Sequence, residues 1–277
     1  MPNPIAEPFV ENVVSADIEA LIDVRSGSSG AVTVVINGVG PTNALNGETA
    51  RALKEAFETL HGADAVRIVF LRGAGGTFSS GVDLAWLKAI AEDWSEADLE
   101  DDARAFAEAL RALIRIPCPT VALVEGEATG VGAGLVAACD MAIAWSGARF
   151  GFPSVKRGGT PAVIAPYVAG AIGPRRTAAL FMTGRMFDAQ HALAIGLIDE
   201  ATDDLAGAAE RLAREVFENG PEAMREAKQL VWEAAHRGRD SHIDEVARRY
   251  AKNRLGEEGR EGMAATLEQR KPRWAPR

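Results

Sequence analysis

The stretch "PCPTVALVEGEATGVGAGLVAACDMAIAWSGARFGFPSVKRGGTP", Pro117 to Pro161, decides the fold. Its first part is a short β-branched run, Thr120 to Val124, entered through Pro117 and Pro119. Such a run, bounded by turn residues, predicts a buried strand. "GVGAGL" (Gly130 to Leu135) then opens an apolar segment that predicts a buried helix, and "MAIAW" (Met141 to Trp145) predicts another short strand. The Gly-rich stretch "FGFPSVKRGG" (Phe150 to Gly159) follows, with Ser154 between Pro153 and the Lys156-Arg157 pair. Strand, glycine turn, helix, strand is the pattern of a parallel α/β sheet.

The same pattern extends upstream. "AVTVVING" (Ala31 to Gly38) and "VRIVFLRG" (Val66 to Gly73) read as buried strands. Between them, Ala50, Leu53, Ala56 and Phe57 fall at helical spacing, and Gly62 closes that helix. "GAGGTFSSGVDLAWL" (Gly73 to Leu87) is a Gly/Ser loop running into an apolar segment. The acidic run after it reads as a loop and then a helix, its charges forming a solvated face. Downstream, "PAVIAPYVAGAIG" (Pro161 to Gly173) is apolar and helical. From Thr177 the pattern is helical nearly to the end, punctuated by Gly196, Gly220 and Gly256. The expected organisation is an α/β core over 1–200 and a helical region over 201–277.

Composition narrows the function. The 277 residues are 47% hydrophobic and 25% charged, ordinary values for a globular chain. A net charge of −9 without a dense basic stripe argues against nucleic acid as a partner. No apolar run approaches the ~20 residues of a membrane span, so no membrane association is expected. The N-terminus lacks a basic start and a long apolar run, which makes the cytoplasm the expected compartment. Cys118 and Cys139 sit in apolar runs and read as two buried thiols. His61, His191, His236 and His242 are scattered, and none joins Cys or carboxylates at ligand spacing, so no metal is expected.

Three Gly-rich places invite a motif. "GTFSSGV" (Gly76 to Val82) has the two glycines of a P-loop but valine where the phosphate-binding lysine belongs. It also lacks the first glycine of a nucleophile elbow. "GVGAGL" ends in leucine where a dinucleotide fingerprint needs glycine, and no acid stands at the ribose position about 20 residues on. What remains is two Gly-rich turns, each after a buried strand. Their backbone N–H groups either converge on one anionic oxygen or merely permit close packing of helix on strand.

The residues themselves resemble a known family. "FSSGVDLAWL" (Phe78 to Leu87) resembles the F-[CS]-A-G-A-D-L motif of the crotonase, or enoyl-CoA hydratase/isomerase, family. Pro117 to Pro161 resembles that family's central signature, and "NALN" (Asn43 to Asn46), "TGRMFDAQHALAIGLIDE" and the tail "LEQRKPRW" fit it too. The run through Trp86 and "PAVIAPYV" look most like the branch acting on methylglutaconyl-CoA and isohexenylglutaconyl-CoA. The resemblance implies a ββα spiral core with a C-terminal helical trimerisation region. It implies an acyl-CoA thioester as substrate, no further cofactor, and self-assembly as a homotrimer or a dimer of trimers. The thioester oxygen would be held by the N–H groups of Val82 and Val131. Ser80, Val82, Asp83, Leu84, Ala85, Gly130, Val131 and Pro153 would flank the CoA and the thioester. Arg270, Lys271 and Arg273 are candidates for the CoA phosphates, and Trp86, Leu87, Phe152 and Tyr167 for an acyl pocket.

The pattern also breaks. Family hydratases use two carboxylates, and the resemblance puts Gly134 and Ser154 in their places. Glycine has no side chain, and a serine hydroxyl is too weak a base to activate water by itself. Glu127, Asp83 and Lys156 are the nearest titratable alternatives along the chain. Three readings stay open: a hydratase-like lyase using another group; an enolate-stabilising reaction such as decarboxylation, thioester hydrolysis or double-bond isomerisation; and a non-catalytic acyl-CoA binder.

Overall fold

A computed structural model of the chain describes residues 21–27, 30–83, 86, 88, 89, 93, 95–236 and 243–275. Nine strands are formed among them: β1 Ile22–Ser26, β2 Ala31–Ile36, β3 Ile68–Gly73, β4 Thr120–Val124, β5 Glu127–Thr129, β6 Met141–Trp145, β7 Arg149–Gly151, β8 Met186–Asp188 and β9 Glu200–Thr202. The larger sheet has the order β1-β2-β3-β4-β6-β9. Only β1 runs antiparallel to its neighbour; every other pairing in that sheet is parallel. The smaller sheet, β5-β7-β8, joins β5 to β7 in parallel and β7 to β8 antiparallel.

The connections explain the shape. After β1, the crossover from β2 to β3 is α1 (Gly47–His61), and that from β3 to β4 ends in α2 (Glu96–Arg115). From β4 the chain winds in a spiral: a large-sheet strand, a small-sheet strand, a helix. The first complete turn is β4, β5, α3 (Val131–Ala138); the second is β6, β7, a 3-10 turn over Pro153–Arg157 and α4 (Ala165–Ile172). Helices α5 (Pro174–Thr183) and α6 (Ala189–Ile195) flank β8. This is the expected ββα spiral.

Burial follows the apolar pattern. Leu53 and Phe57 on α1, Leu110 and Leu113 on α2, and Ile68 and Leu71 on β3 are almost wholly inaccessible. Their removal from water is the main driving force of the fold, at roughly 1.5–3 kcal/mol per large side chain. Cys118 is buried and Cys139 half-buried. α2 starts at a capping box in which Ser95 accepts from the Asp98 amide and Asp98 from the Ser95 amide. The acidic run is solvated as expected, with one correction: Asp102 is only 6% exposed. It falls on the same face as Ala105, Phe106 and Ala109, the face α2 turns inward.

A second correction concerns the region after Thr177. It is not continuously helical: Met186 pairs with Gly151 in β8, and Glu200 with Ile143 in β9. Strands of three residues set between helices are too short to register as a change of period. β1 likewise lies outside the strands read from the sequence.

The chain divides into two compact units. One holds the described residues up to Ile116 together with Thr120–Ala209; the other holds Pro117–Pro119 and Glu210–Arg277. Beyond α7 (Leu205–Phe217), the second unit consists of α8 (Pro221–His236), α9 (Ile243–Leu255) and α10 (Glu257–Leu267).

Candidate active site

The two Gly-rich turns singled out in the sequence are laced to each other. The Ser79 amide donates to the Glu127 carbonyl at 2.9 Å and the Thr129 amide to the Ser79 carbonyl at 3.0 Å. The Thr129 hydroxyl donates to the Ser80 carbonyl at 2.6 Å. Glycine is required on both sides. A Cβ at Gly81 would lie 2.9 Å from the Thr129 carbonyl oxygen, and one at Gly132 2.8 Å from the Ser79 Cβ. Gly81 and Gly130 also hold φ at +85° and +54°, a region that side chains rarely enter.

The segment Asn43–Asn46 braces the first turn from behind. Asn43 sits at φ 49° and is 4% exposed. Its amide nitrogen donates to the carbonyls of Ala74 and Thr77, both at 2.7 Å. The Ser80 amide donates to the Thr42 carbonyl at 2.9 Å, and its hydroxyl to the Thr42 hydroxyl at 2.9 Å. The Leu45 amide donates to the Gly81 carbonyl at 2.7 Å, and the Asp83 amide to the Leu45 carbonyl at 3.1 Å.

That last pair fixes the direction of Val82. In a parallel bridge whose bonds run through residues 81 and 83, the amide of Val82 points to the opposite side. Val131 is the first residue of α3, and the first amides of a helix have no intrahelical acceptor. The Gly130 amide just before it donates to the Gly151 carbonyl at 2.9 Å, tying the head of α3 to the end of β7. Among the described residues, neither the Val82 nor the Val131 amide is bonded to a backbone carbonyl. The structure thus assembles two turns, each with an unspent N–H, and Pro153 and Ser154 follow just beyond the Gly151 tie.

The other expected site residues divide. Gly134 is buried in α3, and the space in front of it is filled: a Cβ there would lie 2.3 Å from Ile164 Cγ2 and 2.8 Å from Ile164 Cβ. Sequence reasoning passed over Ile164, because nothing in its apolar surroundings sets it apart. Ser154 is half-buried in the 3-10 turn, and its carbonyl accepts from the Gly159 amide at 3.1 Å. Lys156, Arg157 and Glu127 are exposed. Asp83 accepts from the Trp86 amide at 3.1 Å, and Asp140 from the Thr120 amide and hydroxyl, both at 2.8 Å. Phe152 is fully buried against Phe181, 5.0 Å between ring centroids, and is core. Tyr167 is half-buried, and burial pushes its hydroxyl pKa up. Leu84, Ala85 and Leu87 lie outside the described residues.

Two findings concern charged groups that touch residues expected at the site or in the tail. Asp102 accepts from the Trp86 indole N–H at 3.1 Å, so a buried carboxylate anchors the residue after the Ser80–Ala85 segment. Burial raises its pKa, against the opposing effects of the Trp86 bond, Arg51 and the Gly47 amide. In the second unit, Arg270 bonds Glu261 and Glu268, each at 2.6 Å, and Arg273 bonds Glu261 at 3.2 Å. These two tail arginines, expected as phosphate ligands, have carboxylates of their own. Among the described residues no group of three or more His, Cys, Asp or Glu is arranged to hold a metal ion.

Comparison with known proteins agrees with this architecture. The model of the family described as enoyl-CoA hydratase/isomerase matches residues 27–277. The chain belongs to that family. A Thermus thermophilus protein named as a candidate enoyl-CoA hydratase is 34% identical over 251 residues, covering 88% of this chain and 98% of its own. Among solved structures, Pseudomonas aeruginosa AtuE superposes with a TM-score of 0.87 at 31% identity, covering 92% of this chain and 99% of AtuE. An enoyl-CoA hydratase from Shewanella pealeana gives 0.86 at 31% identity, covering 94% and 100%. Membership implies an acyl-CoA substrate and fixes the crotonase fold. No helix among the described residues is long and apolar enough to cross a membrane.

Proposed function

We propose that this chain acts on an acyl-CoA thioester whose oxygen is held by the amides of Val82 and Val131, and that it works without the two family carboxylates, whose places are taken by Gly134 and Ser154. The observation that carries this reading is the pair of unspent amides on two turns that are hydrogen-bonded to each other. Two such donors stabilise the negative charge that develops on the thioester oxygen when an enolate forms. Ser80, Asp83, Gly130 and Pro153 flank that position, and Leu84 and Ala85 complete the CoA side of the proposal. The reactions that fit need mainly stabilisation of charge on that oxygen: decarboxylation or double-bond isomerisation, through an enolate, or thioester hydrolysis, through a tetrahedral adduct that expels the CoA thiol. Binding of acyl-CoA without turnover is the second reading, favoured by the filled space at Gly134. The compartment we propose is the cytoplasm.

The test is the removal of one donor. Proline is tolerated at the first position of a helix, so Val131→Pro deletes the amide while keeping the backbone. Acetyl-CoA affinity is measured first on the unmodified protein, then turnover of malonyl-CoA, 3-enoyl-CoA and crotonyl-CoA. Whichever reaction the unmodified protein catalyses should slow by about 10²–10³-fold in Val131→Pro, with the melting temperature kept. An unchanged rate would remove Val131 from the site. Affinity without turnover would select the binding reading, and no affinity would end both.

A further inference from the structure

We infer that Ile164 is a specificity-determining residue: it fills the space that a side chain at position 134 would need, and so closes the site to water addition from the α3 side. This rests on the reading that the turns at Val82 and Val131 hold a thioester.

The geometry is specific. Gly134 closes the first turn of α3, three residues after the proposed donor Val131. Positions three apart on a helix share a face. A side chain at 134 would therefore emerge on the side of α3 that carries the Val131 position. That volume belongs to Ile164, which is only 2% exposed. Rotation about its side-chain bonds cannot clear the space, because the Ile164 Cβ itself would lie 2.8 Å from a Cβ at 134. The Cβ moves only with the backbone. That backbone is tied: Ile164 caps α4, and its carbonyl accepts from the Val168 amide at 3.0 Å. Isoleucine is also stiff about its first side-chain bond. The helix-borne acid of a water-adding site would thus have no room at position 134, where the volume it needs is already packed with hydrocarbon. The ligand class that suits such a wall is an acyl-CoA that reacts through its enolate without taking up water.

The experiment is a double-mutant cycle between positions 134 and 164. Gly134→Glu should be overpacked, with a lowered melting temperature or no folded product. Ile164→Gly, which deletes the blocking Cβ as well, should fold with a cavity. The Gly134→Glu/Ile164→Gly pair should melt higher than Gly134→Glu alone, a coupling expected only of residues in contact. It should also add water to crotonyl-CoA at least about 10²-fold faster than the unmodified protein, the lower end of what a positioned acid or base supplies. Three results would overturn the inference: Gly134→Glu melting with the unmodified protein, the pair gaining no hydration, or the unmodified protein hydrating crotonyl-CoA near the ordinary enzyme rate of about 10 s⁻¹. Acetyl-CoA binding by the unmodified protein is measured alongside. Its absence would strike the thioester reading, whereas the melting-temperature cycle judges the wall independently.

Discussion

At the scale of single residues, the site depends on groups that never touch a substrate. Asn43 accepts a left-handed backbone and gives both of its amide hydrogens to carbonyls of the loop behind the first turn. Asn43→Ala would take from the half-buried Thr77 and Ala74 their bonds to the Asn43 amide and place alanine in a left-handed backbone where it fits poorly. A loss of about 1–3 kcal/mol is expected, read from the shift of a urea unfolding midpoint; a loss within measurement error would mean that the loop is held by something else. Asp102 is a comparable case. It is a carboxylate kept indoors by the Trp86 indole, at the cost of a raised pKa. Neither role was legible from sequence. Asn43 was noticed only as part of a family motif, and Asp102 was hidden in a run of acids of which most face water.

At the scale of elements, what could be read depended on length. α1, with its Asn46 cap and its Gly62 stop, stands where the 3.6-residue spacing places it. β2, β3, β4 and β6 are runs that are apolar but for Thr33, Arg72 and Thr120, and they are equally plain, because most of both faces of a central parallel strand is covered. β5, β7, β8 and β9 are three residues each, and what makes them strands is a partner supplied from elsewhere in the chain. The glycines at the turns were visible, but their two possible meanings, close packing and free amides, were not separable. The structure shows the close packing, since Gly81 and Gly132 leave no room for a Cβ, and beside it, among the described residues, the two amides of Val82 and Val131 without a backbone partner.

At the scale of the molecule, the two units invite different measurements. The second unit is pinned by Glu261, buried beneath the tail and bonded by Arg270 and by the amide and side chain of Arg273. The Arg270 guanidinium, chiefly, holds the Glu261 carboxyl at about 2. A depressed carboxylate contributes its stability above its unfolded value, about 4.3, and loses it as pH falls through that value towards the folded one. The gap in unfolding midpoint between the unmodified protein and Glu261→Gln should therefore be constant above about pH 5 and shrink between about 4.3 and 2. A gap that ignores pH in that window would exclude the ion pairs as its source. The same unit exposes Val231, Tyr250, Leu255 and Leu267, each more than 60% accessible. Apolar side chains left in water on that scale suit a surface covered by further copies of the chain. We propose a trimer or a dimer of trimers, and sedimentation should give three or six times the 29.3 kDa of one chain; a single-chain mass at micromolar concentration would dismiss that assembly.

The lacing of the two glycine turns has a consequence for how this protein tolerates change. The proposed donors belong to the main chain, so, proline apart, the identity of residues 82 and 131 is nearly silent, which is why valine can stand at both. A saturation mutagenesis map scored on turnover would show tolerance of every residue but proline at the two positions closest to the chemistry and intolerance at Gly81, Gly130 and Gly132 beside them. Searches for this site by its reactive side chains would find a gap ringed by glycine.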